Sequence, residues 1–136
     1  MISNSIPTTA KERPETVITV YGIRNCDKIK RTLAWFDANG VTVRFHDYRK
    51  DGLNEADLQS WMTVLDWSSL INRSGTTWRS LPDLAKQGMT SAKAARMLML
   101  THPALIKRPL IVAGNAIHVG YDEAALRKMS IVPPVA

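Results

Sequence analysis

One change of hydropathic period, and its reversal, constrains the first third of this chain more than any other feature. Thr16–Tyr21 is β-branched and aromatic-rich and stops at Gly22, as a buried strand running into a turn does. From Asp27 the period lengthens: Ile29, Thr32, Leu33, Trp35 and Phe36 mark one side of a helix that Asn39-Gly40 ends. Val41–Tyr48 then alternates as a second strand. Strand, helix and strand in so short a span form a βαβ unit, and a right-handed crossover makes the two strands parallel.

The other end of the chain carries the complementary signal. Leu110–Ala113, Gly114-Asn115 and Ala116–Val119 read as a hairpin with a two-residue turn, closed by Gly120. Asp122 then caps a last helix through Ala125, Leu126 and Met129. Between the halves, Asn54 is placed to cap a helix through Leu58, Trp61, Met62 and Leu65. A second helix runs from Ser91 to Thr101 through Ala94, Ala95, Leu98 and Met99, with Thr90 or Ser91 as its cap. Trp67–Gly88 is polar and mixed, and a connector of that kind in a small domain is more often functional than idle. The order predicts an α/β, thioredoxin-like four-stranded mixed sheet, βαβ followed by ββα, with an α-helical insertion over about residues 52–104. A single domain over 16–130 is expected, flanked by a mobile N-terminal tail (1–15) and a Pro-containing C-terminal tail (131–136).

Composition removes several function classes. With 136 residues the chain holds one ordinary domain. No apolar run has the length of a membrane helix, and Met1–Glu15 has no signal-peptide core. A lone cysteine forms no internal disulfide, and with no secretory signal beside it a reducing cytoplasm is the expected compartment. Cys26, His46, His102 and His118 are too scattered for a metal site; the histidines fit surface positions and receive no role. Eighteen Lys and Arg against 12 Asp and Glu favour an anionic partner. There is no basic tail and no interleaved aromatic pattern, so charge leans only weakly towards nucleic acid, which is not the expected partner, and a small anion is the other candidate. No long apolar stripe is left unassigned, and a monomer is expected.

Cys26 lies between strand one and the helix that follows it. There its sulfur meets unpaired backbone N–H groups and the positive end of a helix dipole, which favour thiolate over thiol. Lys28, Lys30 and Arg31 add positive field and Asp27 opposes it. The alternative is a small packing hydrophobe, for which a strand-end loop is a poor place. Arg108-Pro109 precedes the hairpin. In a thioredoxin-like domain that proline is cis and packs beside the active cysteine, which would bring the Arg108 guanidinium to the sulfur. Arg73 and Arg79, with Ser74, Thr76 and Thr77 around Gly75, read either as an anion-binding lid or as a solvated connector. Trp78 is equally suited to anchoring that loop and to touching a ligand.

Three segments, Tyr21–Asp27, Arg73–Arg79 and Ile106–Leu110, together resemble the arsenate reductase (ArsC) family, in family order, over about Val17 to Met129. The resemblance is closest to the YffB-type reductases, with the Spx regulators more distant. It implies glutathione-dependent thiol chemistry on a thioredoxin-like fold, with glutathione as cosubstrate and no bound cofactor. Cys26 and Arg108 take the catalytic positions, and Arg73 matches the second arginine of an oxyanion pair. Asn25, Arg73, Arg79, Lys107 and Pro109 fall where substrate or glutathione binds. Glutathione or a glutaredoxin supplies the resolving thiol for a small oxidised or anionic substrate. The alternative implied is an Spx-like partner of RNA polymerase. Three departures stand out. Gly120-Tyr121-Asp122-Glu123 is acidic where arsenate reductases carry a further arginine, which disfavours arsenate. Ile29 replaces the second cysteine of the regulators' redox switch, and Lys28 replaces a threonine common in the YffB branch.

Overall fold

A computed structural model describes residues 17–130. Both expected tails, and Thr16 of the expected first strand, lie outside the described residues. The chain runs β1 (Ile18–Gly22), α1 (Asp27–Ala38), β2 (Val43–Asp47), α2 (Tyr48–Asp51), α3 (Glu55–Val64) and α4 (Trp67–Leu70). It continues through α5 (Thr76–Ser80), α6 (Asp83–Gln87), α7 (Ala92–Thr101) and a 3-10 turn (Pro103–Leu105) to β3 (Leu110–Ala113), β4 (Ala116–Val119) and α8 (Glu123–Ser130).

The strands form one sheet in the order β2-β1-β3-β4. β1 and β2 are parallel, with Val20 opposite Phe45. β3 runs antiparallel to both β1 and β4, placing Leu110 between Tyr21 and Val119. This is the expected mixed thioredoxin-like sheet. Strand alternation sends Ile18, Val20, Ile111 and Ala113 to one face, where they pack with Ile29 and Phe36 of α1 and Leu126 and Met129 of α8. On the other face Leu110 packs with the insertion, including Leu58, Trp61, Leu70, Ile71, Ala95, Met99 and Ile106. The insertion therefore covers a whole face of the sheet.

The expected caps form. Asn54 accepts from Ala56 and Asp57, Ser91 rather than Thr90 accepts from Ala94, and Asp122 accepts from Ala124. One expectation needs correcting. The second strand starts at Val43, not Val41, and Tyr48 leaves it to open α2, because the Asp47 carboxylate accepts from the Arg49 amide at 2.9 Å and turns the chain. The polar Trp67–Gly88 connector holds α4, α5 and α6, of four or five residues each, within the expected helical insertion. Helices that short show too little periodicity to read.

The insertion is fastened to the strand that leads into β3. Ile71 and Ile106 form an isolated antiparallel bridge, Asn72 donates to the Leu105 carbonyl and Lys107 donates to that of Leu70, each at 2.8 Å. Both isoleucines are buried. This short ladder sets Asn72 and Ser74 opposite Lys107 and Arg108.

Candidate active site

Cys26 is the N-cap residue of α1, with extended backbone dihedrals, and is half-buried. Its sulfur closes no conventional capping hydrogen bond. Burial pushes its pKa up, but the Ile29 and Lys28 amides and the charge and hydrogen bond of the Arg108 guanidinium outweigh that, leaving the thiol below its ordinary range. Arg108 is held from behind, donating from Nη1 to the Ala104 carbonyl at 3.2 Å. The Arg108-Pro109 peptide is cis, as the fold led one to expect, and the Pro109 carbonyl accepts from the Gly120 amide at 2.8 Å.

Tight packing under the cysteine sets its distance from Arg108. Gly22 ends β1 against Ile29, which is fully buried, and a Cβ on Gly22 would overlap Ile29 Cδ1 and come within 2.9 Å of Cγ1. Gly22→Ala is therefore expected to push the start of α1 off the sheet. The cost is that of an overpacked core, about 1–3 kcal/mol in urea unfolding. Cys26 alkylation at neutral pH should slow with it. A variant that lost stability with an unchanged alkylation profile would show that this packing does not set the thiol.

A cavity of about 560 Å³ opens on the sulfur, lined among others by Cys26, Lys28, Asn72, Ser74, Lys107 and Arg108. Asp27 is the acid in that lining, against three cations. Among the described residues none of the three cations is ion-paired. A pocket so charged suits an anion.

Other residues expected at the site are placed differently. Asn25 is exposed and lines a smaller opening on Cys26, apart from the large cavity. Pro109 is buried beneath the site. Arg73 and Arg79 do not line the cavity. Arg73 stacks its guanidinium over Trp78 at 5.5 Å, and Arg79 donates to the Ser74 carbonyl at 2.6 Å. The lid expectation thus gives way to two arginines that brace the loop, while Trp78 packs on the insertion core. The acidic pair is corrected as well: Asp122 caps α8 and Glu123 accepts from the Tyr121 hydroxyl at 2.9 Å. At that corner Val119 and Gly120 line the cavity, so it lacks a cation rather than presenting anions. His118 is half-buried on β4, with its Nε2 buried and without a partner among the described residues. Sequence reasoning misses Asn72 and Gly120 as cavity residues, gives Lys28 only as positive field near Cys26, and gives Ser74 only as part of the lid reading. Only the bridge between Ile71 and Ile106, a long-range pairing, brings Asn72 and Ser74 there.

A sequence profile of the ArsC family matches residues 21–129. The chain belongs to the ArsC family. An uncharacterized protein of Haemophilus influenzae is 38% identical to it over 107 residues, 79% of this chain and 93% of that protein. Among solved structures, a YFFB protein superposes with a TM-score of 0.79 at 34% identity, covering 83% of this chain and 98% of its own. An arsenate reductase (ArsC) related protein from Brucella melitensis gives 0.67 at 35% identity, covering 85% and 96%. Membership in the ArsC family thus spans the sheet, the insertion and both sides of the cavity. Among the described residues no helix is long and apolar enough to cross a membrane, and no cluster of His, Cys, Asp and Glu could hold a metal ion.

The depressed thiol has a consequence for stability. A folded-state pKa below the unfolded one adds stability that is fully present above the unfolded thiol's value, about 8.5. That increment is lost as pH falls through the folded value. The urea-unfolding gap between wild type and Cys26→Ser should therefore widen in the wild type's favour as pH rises from about 6 to about 9.5. A gap that stays flat or narrows would contradict a stabilised thiolate.

Proposed function

We propose that this chain is a glutathione-dependent thiol–disulfide reductase of the YffB type. The observation that carries the reading is the Cys26 sulfur at the start of a twelve-residue helix, beside Arg108, over a cavity rich in cations. Cys26 attacks a glutathione-bearing disulfide as thiolate, and the Arg108 guanidinium holds both that thiolate and the charge that develops as the disulfide opens. Lys107 and Lys28 hold the carboxylates of glutathione, with Asn72 and Ser74 as hydrogen-bonding groups. Since Cys26 is the only cysteine, the resolving thiol comes from a second glutathione or a glutaredoxin. A cytoplasmic, monomeric protein meets these requirements, since glutathione is plentiful there and the site is built from one chain.

The test is direct. The protein, incubated with glutathione disulfide, should gain one glutathione on Cys26 by intact mass and lose it again to reduced glutathione. With the mixed disulfide of glutathione and β-mercaptoethanol it should turn over in an assay coupled to glutathione reductase, and Cys26→Ser should not. An unmodified Cys26 and no turnover, with and without glutaredoxin, would remove the reading.

A further inference from the structure

Cys26 and Arg108 border a second opening on the side away from Lys107. It holds about 110 Å³, and Asn25, Arg49, Thr76 and Thr77 are in its lining. Among the described residues Cys26 and Arg108 are the only lining residues it shares with the large cavity, so they form the partition between the two. Ile23, Arg49, Thr77 and Ala104 recur in a further hollow of about 370 Å³ that reaches Tyr48, Thr101 and His102. Opening and hollow therefore adjoin along these four residues, and together they make up a two-part groove whose near part borders the sulfur.

Its chemistry differs from that of the large cavity. Ile23, Pro103 and Ala104 give it apolar walls, and among the described residues neither part of its lining holds an acid. Arg49 is exposed and unpaired among the described residues. The Tyr48 hydroxyl is buried with no hydrogen-bond partner among the described residues. A buried hydroxyl without a partner is costly, and such groups call for an explanation.

Disulfide exchange demands two binding spaces. The attacking sulfur, the attacked sulfur and the leaving sulfur line up, so the two halves of the substrate extend in different directions from Cys26. We infer that the large cavity takes the glutathionyl half and the Arg49–Tyr48 groove takes the other, a thiol with an apolar stem ending in a carboxylate. This inference rests on the reductase reading and names its substrate class. Cys26 thiolate attacks the glutathionyl sulfur of R–S–S–glutathione; the Cys26–glutathione disulfide forms, the original S–S bond breaks, and R–S⁻ leaves and takes a proton from water. A second glutathione thiolate then attacks the Cys26-bound glutathionyl sulfur, giving glutathione disulfide and restoring the Cys26 thiolate. The mixed disulfide and one reduced glutathione thus give R–SH and glutathione disulfide: the R sulfur is reduced and the sulfur of the incoming glutathione is oxidised. The stem lies along Ile23 and Ala104, and the carboxylate is recognised by the Arg49 guanidinium and the Tyr48 hydroxyl.

The experiment compares glutathione mixed disulfides of ω-mercaptohexanoate and ω-mercaptohexanol, which share a stem length and differ in the charged end. The expected kcat/KM ratio is about tenfold or more in favour of the acid, the scale of one charge-assisted hydrogen bond. Arg49→Ala should bring that ratio close to one, and Tyr48→Phe should reduce it in a protein that folds normally. Equal rates for the two substrates, with turnover intact, would overturn the groove and leave the reductase reading standing. If neither substrate is turned over, the reductase reading fails, and the groove is judged by binding. Cys26→Ser titrated with the acid mixed disulfide should shift the amide resonances of Thr77, Ala104 and Arg49 as well as those of Ser74 and Lys107. Shifts confined to Ser74 and Lys107, or no shifts at all, would overturn it.

Discussion

Arg108→Ala is expected to slow Cys26 alkylation and disulfide exchange at neutral pH by between about ten- and a hundredfold. The figure is that of one hydrogen bond to a charged group, about 1.5–3 kcal/mol, at a half-buried site. Two effects act together. The guanidinium is among the groups that hold the thiol below its ordinary range, so its removal raises the pKa and shrinks the thiolate fraction. In the proposed reaction it also faces the charge that forms as the disulfide opens, and alanine offers nothing there. The pH profile of alkylation should move to higher pH, with a smaller change in the pH-independent rate of the fully formed thiolate. Arg108→Lys keeps a charge but loses the planar fork that serves Cys26 and the Ala104 carbonyl at once, so it should fall between the two. An Arg108→Ala profile that overlays the wild type would show that the helix amides alone set the thiol.

The second large effect lies in the core. Ile106→Ala should cost about 2–5 kcal/mol in urea unfolding, a large part of the 5–15 kcal/mol typical of a domain. Ile106 is fully buried among the insertion residues and is half of the bridge that sets Asn72 opposite Lys107. Its truncation opens a void and loosens one wall of the cavity at the same point. Ile106→Val, with one methylene fewer, should cost about 0.5–1.5 kcal/mol and leave the wall in place. A loss below about 1 kcal/mol for the alanine variant would mean that the bridge is a passive contact.

The sequence exposed those parts of the molecule that local rules govern. β1 and the β3–β4 hairpin follow from β-branched runs and Gly114-Asn115, and Asn54, Ser91 and Asp122 cap helices because a short side-chain oxygen reaches an amide two or three residues on. Cys26 was legible for the same reason, since a residue between strand and helix meets helix amides whatever the rest of the chain does. Asn72, Arg49 and Tyr48 were not, because each is brought towards the cysteine by packing between distant segments. Arg73 and Arg79 illustrate the converse. A cation in a polar stretch looks like an anion ligand until the fold shows that one lies on Trp78 and the other on a carbonyl of its own loop.

Cys26 is the chain's only cysteine, and Ile29, packed on Gly22, stands three residues on where a vicinal thiol would sit, which sets the kinetic order of recovery by thiols. A vicinal thiol would reset an oxidised Cys26 at a fixed first-order rate, independent of the surroundings. Here every sulfenic acid or mixed disulfide on Cys26 waits for a bimolecular collision with another thiol. Its lifetime therefore scales inversely with the concentration of that thiol, so dilution or thiol depletion prolongs the oxidised state in direct proportion.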